Sequence, residues 1–279
     1  MSDATHAREY TGDVLNSFGL PTVLLVDHVE DICPSIRRIH FEGLGVADFL
    51  SQHRLPHIRL AVPRPDGTLG LPALGDTRTT MDPELLARTR TYTVRKYDYE
   101  GRTMAIDFFL HGGSGLAETW ARNAGRGSTI GVVGGGGRTL HRASFMLIAA
   151  DDAGIPEASL ILESLPDGQK GRAFLEVNDL ADWQELRIPQ GMEVTWLNRN
   201  GTPAGESDLL PRAIASTPID HPARVSAFVA AESGTAAQIR DDLRERGVPQ
   251  RQRQVSGFWQ RGRSEADGTN TTAQTRKAG

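Results

Sequence analysis

The spacing of apolar residues along this chain changes near Gly137, and this change limits what the chain can fold into. Before it, short runs rich in β-branched and aromatic residues are separated by turn residues, which predicts antiparallel strands in a barrel or sandwich. After it, apolar runs alternate with segments of helical spacing, which predicts a parallel, doubly wound sheet. The chain is therefore expected to form two domains of different class.

The strands predicted in the first half are short and bounded by turn signals. They are TVLLVDHV, IRRIHFEG, HIRLAVP, RTYTVRKYD and RTMAIDFFLHG, with a hairpin connection at Asp98–Gly101 and one helix at LAETWARNA. The run HIRLAVP stops at RPDG, where proline and glycine suit a tight turn. We assign residues 20–138 to an antiparallel β-barrel domain.

Five parallel strands are predicted in the second half: ASFMLIAA, RAFLEV, EVTWL, RVSAFVAA and RQVSGFW. Helices are expected at DDAGIPEASLILESL, with Pro156 in its first turn, at NDLADWQEL, and at ESGTAAQIRDDLRERGVP, which Gly247 ends. We assign residues 139–264 to an α/β domain. Residues 265–279 are almost entirely polar and are expected to be disordered.

Composition excludes several kinds of site. Cys33 is the only cysteine, so intrachain disulfides and cysteine-rich metal or iron–sulfur sites are excluded. A net charge of −4 gives no reason to expect nucleic acid as a partner. His53 and His57 are four residues apart, but Pro56 between them opposes a helical metal pair, and no metal site is predicted.

The start of the chain is polar and acidic, and it shows no secretory signal. No apolar run approaches the length of a membrane span. These features predict a cytoplasmic protein without membrane insertion.

A run of glycines stands between the two halves, in IGVVGGGGRTL. A dinucleotide-binding fingerprint, G-x-G-x-x-G, would need its third glycine where Thr139 or Leu140 stands, and the next predicted element is a strand rather than a helix. GGSGL likewise lacks the second glycine of a G-x-S-x-G nucleophile elbow. The run is interpreted as a tight turn and inter-domain hinge that permits close backbone approach.

The segment Arg90-Thr91-Tyr92-Thr93-Val94-Arg95 carries side chains suited to a cofactor. A tyrosine ring can cover a flat aromatic ligand, a threonine hydroxyl can reach its polar edge, and arginines donate to phosphate oxygens. Exposed cross-strand pairing on a barrel strand would produce the same string. Taken alone, the segment is compatible with both readings.

Three motifs in order make the chain resemble the siderophore-interacting protein family, flavin-dependent ferric-siderophore reductases related to ferredoxin reductases. The family pattern R-x-Y-T-x-R matches at Arg90, Tyr92, Thr93 and Arg95. The block LHG…G-x-A…WA matches at Leu110, His111, Gly112, Gly115, Ala117 and Trp120, and the closing S-G-Y/F-W-x-R-G-R-x-E matches at Ser256–Glu265. The resemblance covers Val23–Glu265. It implies a ferredoxin-reductase-like fold in which an FAD-binding antiparallel β-barrel precedes a nicotinamide-nucleotide-type α/β domain.

The resemblance also implies a flavin site on the barrel. Tyr92 would pack against the isoalloxazine and Thr93 would hydrogen-bond its redox edge, and these two are the predicted catalytic residues. Arg90 and the Gly112–Ala117 loop would hold the pyrophosphate. The expected cofactor-binding set is Arg90, Tyr92, Thr93, Arg95, Phe109, Leu110, His111, Gly112, Gly115, Ala117 and Trp120.

Acidic residues follow several strands of the second half. Because ligands of parallel sheets bind beyond the carboxyl ends of the strands, Asp152, Asp179 and Glu232 are candidates for holding NADH or NADPH. A carboxylate at Asp179 could accept from a ribose hydroxyl, which favours NADH, although acids after strands are also common as solvated caps.

The closing motif supplies the expected substrate site. Arg261, Arg263 and Trp259 would receive a ferric siderophore, which is usually anionic or polar. Three residues depart from the pattern common in the family: Gln260 replaces a basic residue, Asn198 a histidine, and Glu118 a small residue beside the pyrophosphate. The first departure bears on the type of substrate, and the last would weaken FAD binding unless Glu118 points away.

The function expected from these features is a redox one. NADH or NADPH would reduce FAD, and the flavin would pass single electrons to Fe(III) held by a siderophore. Fe(II) binds hard oxygen ligands less tightly than Fe(III), so reduction would release the metal. The alternative is a siderophore- or flavin-binding protein without nucleotide-driven turnover, or one that takes its electrons from ferredoxin.

Overall fold

The first part of the chain forms a closed barrel of six antiparallel strands. The structure is a computed structural model that describes residues 22–52, 56–73, 76, 80–113, 115–137 and 140–263. The strands are β1 (Thr22–Cys33), β2 (Ile36–Glu42), β3 (His57–Ala61), β4 (Thr89–Asp98), β5 (Thr103–Phe109) and β6 (Thr129–Gly136). They neighbour one another in the order β1-β2-β5-β4-β3-β6. The predicted barrel is confirmed; the predicted disordered tail, residues 265–279, lies outside the described residues.

Burial alternates along β1, one of the strands that build the barrel core. On β1, Leu24 and Val26 are fully buried, whereas Val23 and Leu25 are 39% and 43% exposed. This is the period-two pattern expected of strands with one face in a core. Burial of each such large apolar side chain contributes about 1.5–3 kcal/mol.

Three helices accompany the barrel: α1 (Leu44–Gln52), α2 (Pro83–Ala87) and α3 (Leu116–Asn123). Helix α3 was predicted, but α1 and α2 were not. Helix α2 has only five residues, too few for helical spacing to stand out. Helix α1 places Phe49, which is fully buried, in the barrel core.

The glycine run forms most of the second half of β6 rather than a turn. A side chain on Gly135 would lie 2.6 Å from the ring of Phe49 and 2.9 Å from the carbonyl oxygen of His57. Glycine is therefore needed here because β6 passes close to α1 and β3. The predicted tight turn is wrong for Gly134–Gly136, and the predicted close backbone approach is confirmed.

The second domain is a five-stranded parallel sheet in the order β11-β10-β7-β8-β9. Its strands are β7 (Phe145–Ala150), β8 (Lys170–Val177), β9 (Met192–Asn198), β10 (Val225–Glu232) and β11 (Arg253–Trp259), and its helices are α4 (Ile155–Ser164), α5 (Leu209–Ala215) and α6 (Ser233–Glu245). The chain moves outward from β7 to β9 and then returns to the other side of β7. The sheet therefore has a topological switch point between β7 and β10, and the predicted doubly wound fold is confirmed.

One predicted helix of this domain is wrong. The segment NDLADWQEL forms only a short 3₁₀ turn, Leu180–Asp182, whose first N–H groups are capped by the Asp179 carboxylate at 2.8 Å from the Ala181 nitrogen. Leu180 and Trp183 are 56% and 53% exposed, so the segment lacks the buried apolar face that would stabilise a helix. Helices α4, with Pro156 in its first turn, and α6 are confirmed.

Among the described helices, none combines the length and the apolar character needed to cross a bilayer.

Candidate functional site

Tyr92 belongs to an aromatic cluster on the barrel wall. Its ring lies 4.5 Å from that of Phe108, measured between centroids, and Phe108 lies 5.5 Å from Trp120 of α3. Tyr92 and Trp120 are half-buried and pack against the barrel core. The cluster brings two of the predicted cofactor residues together and presents aromatic surface at the edge of the barrel.

Thr93 lies on the opposite face of β4, because side chains alternate along a strand. It is only 5% exposed. Thr93 pairs with His57 of β3, and helix α4 of the second domain packs on β4. The Thr93 side chain is therefore buried at the seam between the two domains.

Arg95 forms an ion pair across this seam. Its two terminal nitrogens donate to the Glu163 carboxylate of α4 at 2.7 and 2.6 Å. Arg95 is the extra residue of a bulge, since Val94 and Lys96 pair with consecutive residues of β5. The structure thus places Arg95 with Glu163 and not with the Tyr92 ring.

A second contact across the seam joins His57 to Glu157. The His57 Nε2 atom lies 2.8 Å from the carboxylate of Glu157, which is buried on α4, and the His57 ring lies edge-on to Phe258 with centroids 6.1 Å apart. Sequence reasoning considered His57 only as a metal ligand and missed this role. No local signal could have found it, because the partners are far apart in sequence.

Arg90 is half-buried at the start of β4. One terminal nitrogen donates to the carbonyl oxygens of Ala87 and Thr89, both at 2.8 Å. Its guanidinium is thus held at the last turn of α2, beside carbonyl groups that attract a cation.

The first turn of α3 carries a buried carboxylate, Glu118, which is 3% exposed and reaches back to the preceding loop. Its Oε1 accepts from the Gly112 N–H at 2.9 Å and from Arg122 Nη2 at 2.6 Å, and its Oε2 lies 2.9 Å from His111 Nδ1. Gly112 has a φ of 78°, in the left-handed region that favours glycine. Glu118 therefore points into the loop that was predicted to hold pyrophosphate.

The other residues of the expected flavin set surround this loop. Leu110 is half-buried, packs on the barrel core and donates its N–H to the Ser35 carbonyl at 2.7 Å. Phe109 lies 5.8 Å from His111 between ring centroids. Gly115 precedes α3 as its N-cap, and Ala117 is buried in the core.

Asp151 occupies the switch point of the parallel sheet and is 4% exposed. Its Oδ1 accepts from the N–H groups of Ala153 and Gly154 at 3.0 and 3.3 Å. Its Oδ2 accepts from the Glu232 N–H and from the Trp259 indole, both at 2.8 Å. Burial raises the pKa of Asp151 to about 6, against the effect of these donors.

Asp152 belongs to a neighbouring buried cluster of charges. Its carboxylate lies 2.7 Å from Arg199 Nη2, and Arg199 Nη1 lies 3.5 Å from Glu176. Burial raises the pKa of Asp152 to about 6 and also raises the pKa of Glu176. Of the acids predicted to bind a nucleotide, Asp152 is thus already paired with an internal arginine.

Glu232 caps helix α6. Its Oε2 accepts from the N–H groups of Gly234 and Thr235, and its Oε1 accepts from the Arg261 N–H at 3.3 Å. Glu232 and Asp151 therefore meet at the switch point. Asp179 caps its own 3₁₀ turn after β8 and is exposed.

The closing motif lies at the same edge of the sheet. The exposed Arg261 side chain pairs with Glu206, and the Arg263 N–H donates to the Gln260 carbonyl at 3.1 Å. The Trp259 indole N–H donates a hydrogen bond to the Asp151 carboxylate. At Asn198, which stands where the family commonly has histidine, the side-chain oxygen accepts from the Asn200 N–H at 2.7 Å.

Known proteins match both domains. A model described as the siderophore-interacting FAD-binding domain matches residues 25–139, and one described as siderophore-interacting protein matches residues 143–262. Ferric vibriobactin reductase ViuB of Vibrio cholerae is 31% identical over 239 residues, which cover 84% of this chain and 87% of that protein. The chain belongs to the siderophore-interacting protein family.

Solved structures agree with this family and with the fold. A siderophore utilization protein from T. fusca has a TM-score of 0.78 and 34% identity, covering 90% of this chain and 97% of that one. The ferredoxin reductase of carbazole 1,9a-dioxygenase has a TM-score of 0.59 at 12% identity, covering 86% of this chain and 69% of that one. The second likeness concerns the fold alone, which is ferredoxin-reductase-like.

The residues of this family member fit the flavin of its FAD-binding domain. The half-buried Tyr92 ring offers a flat apolar surface, and Thr93 places a hydroxyl on the adjacent position. A side chain on Gly112 would meet nothing within 4 Å, so the backbone of this loop is open to a phosphate. Two features oppose the fit: the Glu118 carboxylate already accepts from the Gly112 N–H, and Thr93 is only 5% exposed at the seam.

In the described part of the chain, no group of three or more histidine, cysteine, aspartate or glutamate side chains is placed to hold a metal ion.

Proposed function

We propose that this chain is an FAD-dependent ferric-siderophore reductase that releases iron as Fe(II). Its membership of the siderophore-interacting protein family and its 31% sequence identity to ferric vibriobactin reductase support the proposal. The observation that carries it is the placement of Tyr92 and Thr93 at adjacent positions of β4, one on the aromatic cluster and the other at the seam. A flavin held there is within reach of both domains.

In this proposal the barrel residues bind and orient the cofactor. The Tyr92 ring packs on the isoalloxazine, and the Thr93 hydroxyl hydrogen-bonds its redox edge. Arg90 exchanges its carbonyl partners in α2 for the diphosphate, which is the stronger acceptor because it is charged. When bound, FAD takes two electrons from the donor and passes them singly to Fe(III).

The seam residues keep the two domains in register around the cofactor. Arg95 with Glu163, and His57 with Glu157, join β3 and β4 to the single helix α4. The two pairs bury Thr93 beneath α4 and so exclude water from this side of β4. A dry seam limits loss of electrons to solvent oxygen and strengthens the hydrogen bonds made there.

The closing motif receives the substrate. Arg261 is 58% exposed and pairs with Glu206, so an anionic ferric chelate can replace that surface partner at little cost. Arg263 and Trp259 complete this receptor. The iron keeps its siderophore ligands until reduction, because Fe(II) is the weaker partner of hard oxygen donors.

The donor and the location complete the proposal. NADH or NADPH supplies the electrons to a protein that works in the cytoplasm, and reduced ferredoxin is the alternative donor. The ferredoxin-reductase-like fold favours a nicotinamide nucleotide as the electron donor.

A single-turnover experiment tests the proposal. Protein loaded with FAD and reduced by dithionite is mixed anaerobically with a panel of ferric chelates, while a ferrous trap records product. We expect flavin oxidation and Fe(II) formation in the ratio of one flavin to two irons. Protein that binds flavin and chelate but forms no Fe(II) would be a binding protein instead.

Substitution at the receptor refines the same experiment. Arg261→Ala should raise the KM for an anionic ferric chelate about threefold with the flavin spectrum unchanged, which corresponds to a surface charge contact of about 0.7 kcal/mol. Arg251→Ala, which removes another exposed arginine of the same domain, serves as the matched control. Equal KM values for the two variants would remove Arg261 from the substrate site.

A further inference from the structure

The switch point of a doubly wound sheet is where nucleotides ordinarily bind, with their phosphates at the N-termini of the neighbouring helices. Here those helices are α4, which follows β7, and α6, which follows β10. Both begin with backbone N–H groups that could receive a phosphate. In this chain both helix ends are occupied by its own carboxylates.

At α4 the carboxylate is that of Asp151. It takes the N–H groups of Ala153 and Gly154 with one oxygen, and the Glu232 N–H and the Trp259 indole with the other. Asp151 thus spans the ends of three strands, β7, β10 and β11. A phosphate at this place would have to displace four hydrogen bonds at once.

At α6 the carboxylate is that of Glu232. One oxygen accepts from the N–H groups of Gly234 and Thr235, and the other accepts from the Arg261 N–H. Glu232 is 8% exposed, so little of it can be moved without opening the site. The Gly154 N–H at the start of α4 and the Gly234 and Thr235 N–H groups at the start of α6 are therefore already paired with carboxylates of the chain.

Charge at this edge opposes a phosphate as well. Asp152 and Glu176 lie close by, with Arg199 as the buried cation between them. An incoming diphosphate would face several acids and an arginine that is already paired.

We infer that Asp151 and Glu232 exclude the diphosphate of a dinucleotide from the switch point, so that a nicotinamide donor reduces this protein without being seated there. The inference rests on the proposed function, of which it specifies the donor step. Its kinetic consequence is that flavin reduction depends on collision. The observed rate should rise linearly with NADH or NADPH concentration and show no saturation in the micromolar range.

Nucleotide binding to the FAD-loaded wild-type protein tests directly whether the switch point excludes a diphosphate. ADP-ribose carries the diphosphate without the nicotinamide, and calorimetry should show no saturable binding of it up to about 1 mM. Stopped-flow reduction by NADH and by NADPH should give straight lines against concentration. A micromolar Kd for ADP-ribose, or a rate that saturates at micromolar nucleotide, would overturn the inference.

Variants test whether the two named carboxylates are responsible. Glu232→Ser keeps a good N-cap while removing the charge and two carbons, and Asp151→Gly frees the α4 start. The double variant should bind ADP-ribose at least about tenfold more tightly than wild type. Asp208→Ser, which changes an exposed acid before α5, is the control and should have no effect.

The single variant Glu232→Ser covers the case in which the double variant does not fold. A folded variant with full flavin content and no gain in ADP-ribose affinity would remove these carboxylates from the explanation.

The test is separate from that of the proposed function. Oxidation of dithionite-reduced protein by a ferric chelate requires no nucleotide at all. Failure of that reaction would refute the reductase proposal, whereas tight ADP-ribose binding would refute only this inference.

Discussion

Both domains place a carboxylate on backbone N–H groups near a helix start, but the surroundings of the two carboxylates differ. Glu118 in the barrel holds the Gly112 N–H with help from Arg122 and His111, whose side chains are 44% and 53% exposed. Asp151, after β7, is held by backbone N–H groups and by a half-buried indole. The side-chain partners of Glu118 can turn to solvent, whereas the Glu232 and Gly154 N–H groups that Asp151 holds are buried.

The difference teaches what each carboxylate can do. A phosphate can replace Glu118 in the loop, because the displaced groups find water as a new partner. Replacement of Asp151 would leave buried donors without acceptors, which is costly. A phosphate can therefore displace the Glu118 carboxylate in the barrel, but it cannot displace the Asp151 carboxylate in the sheet.

The largest expected effect is on stability and comes from replacing Asp151. Asp151→Ala leaves the buried Glu232 and Gly154 N–H groups without the carboxylate that accepts from them, so the free energy of unfolding should fall by about 3 kcal/mol. Urea denaturation followed by tryptophan fluorescence measures this. Glu118→Ala is the comparison and should cost about 1 kcal/mol, and equal losses would end the distinction between the two sites.

The next effect concerns the cation expected at the cofactor phosphates. Arg90→Ala should weaken FAD binding about tenfold to thirtyfold, because a charge-assisted contact is lost. Quenching of flavin fluorescence on titration with protein gives the Kd. Arg64→Ala removes an exposed arginine that pairs with Glu84 and serves as the control; flavin binding equal to that of the control would exclude Arg90 from the pocket.

Replacement of Glu118 should have the opposite effect on FAD affinity. Glu118→Ser should tighten FAD binding about tenfold, since the Gly112 N–H is released and a negative charge leaves the loop. Glu118→Gln, which keeps the shape without the charge, should fall between the serine variant and wild type. An unchanged Kd in both variants would show that the carboxylate yields to FAD at no cost.

The smallest effect is a dependence of stability on pH. Burial raises the pKa of Asp151 to about 6 in the folded protein, above its value in the unfolded chain. The folded state therefore binds more protons than the unfolded state between these values, and the stability due to this group is lost as pH rises through 6. Between pH 5 and pH 7 the loss should be about 1 kcal/mol.

Asp151→Asn isolates this contribution, because asparagine does not titrate. Urea denaturation at pH 5 and pH 7 should show the wild type losing about 1 kcal/mol more than the variant. The exposed carboxyls with lowered pKa, such as that of Asp31, affect both proteins equally and cancel. Parallel pH profiles would mean that Asp151 titrates near its ordinary value.

The predictable part of the fold is the part with strong local patterns. Strand β1 alternates between buried and exposed residues, and α6 carries both an apolar spacing and a stop at Gly247, so each could be located from the residues alone. The segment NDLADWQEL has helix-forming residues but no face to bury, which is a tertiary property. The glycine run likewise depends on Phe49 and the β3 backbone, which its own residues do not reveal.

The candidate site also has a part that local sequence predicts and a part that only the folded chain reveals. The motif that contains Tyr92 and Thr93 could be read from the chain, since adjacent strand positions point to opposite faces. The partner of Arg95 could not, because Glu163 lies 68 residues away and meets it only when the domains dock. Asp151 directly follows a predicted strand, but its four donors come from the loop after β7, from β10 and from β11, which meet only in the folded sheet.

The sequence by itself determined the two fold classes, the family and the aromatic–hydroxyl pair on β4, because each depends on spacing within a few consecutive residues. Only the tertiary structure decided which charged groups face a ligand and which face one another. The reason is that an arginine or a carboxylate takes whichever partner the packed elements bring within reach. For Arg95, Glu118, Asp151 and Glu232, those partners belong to the chain itself.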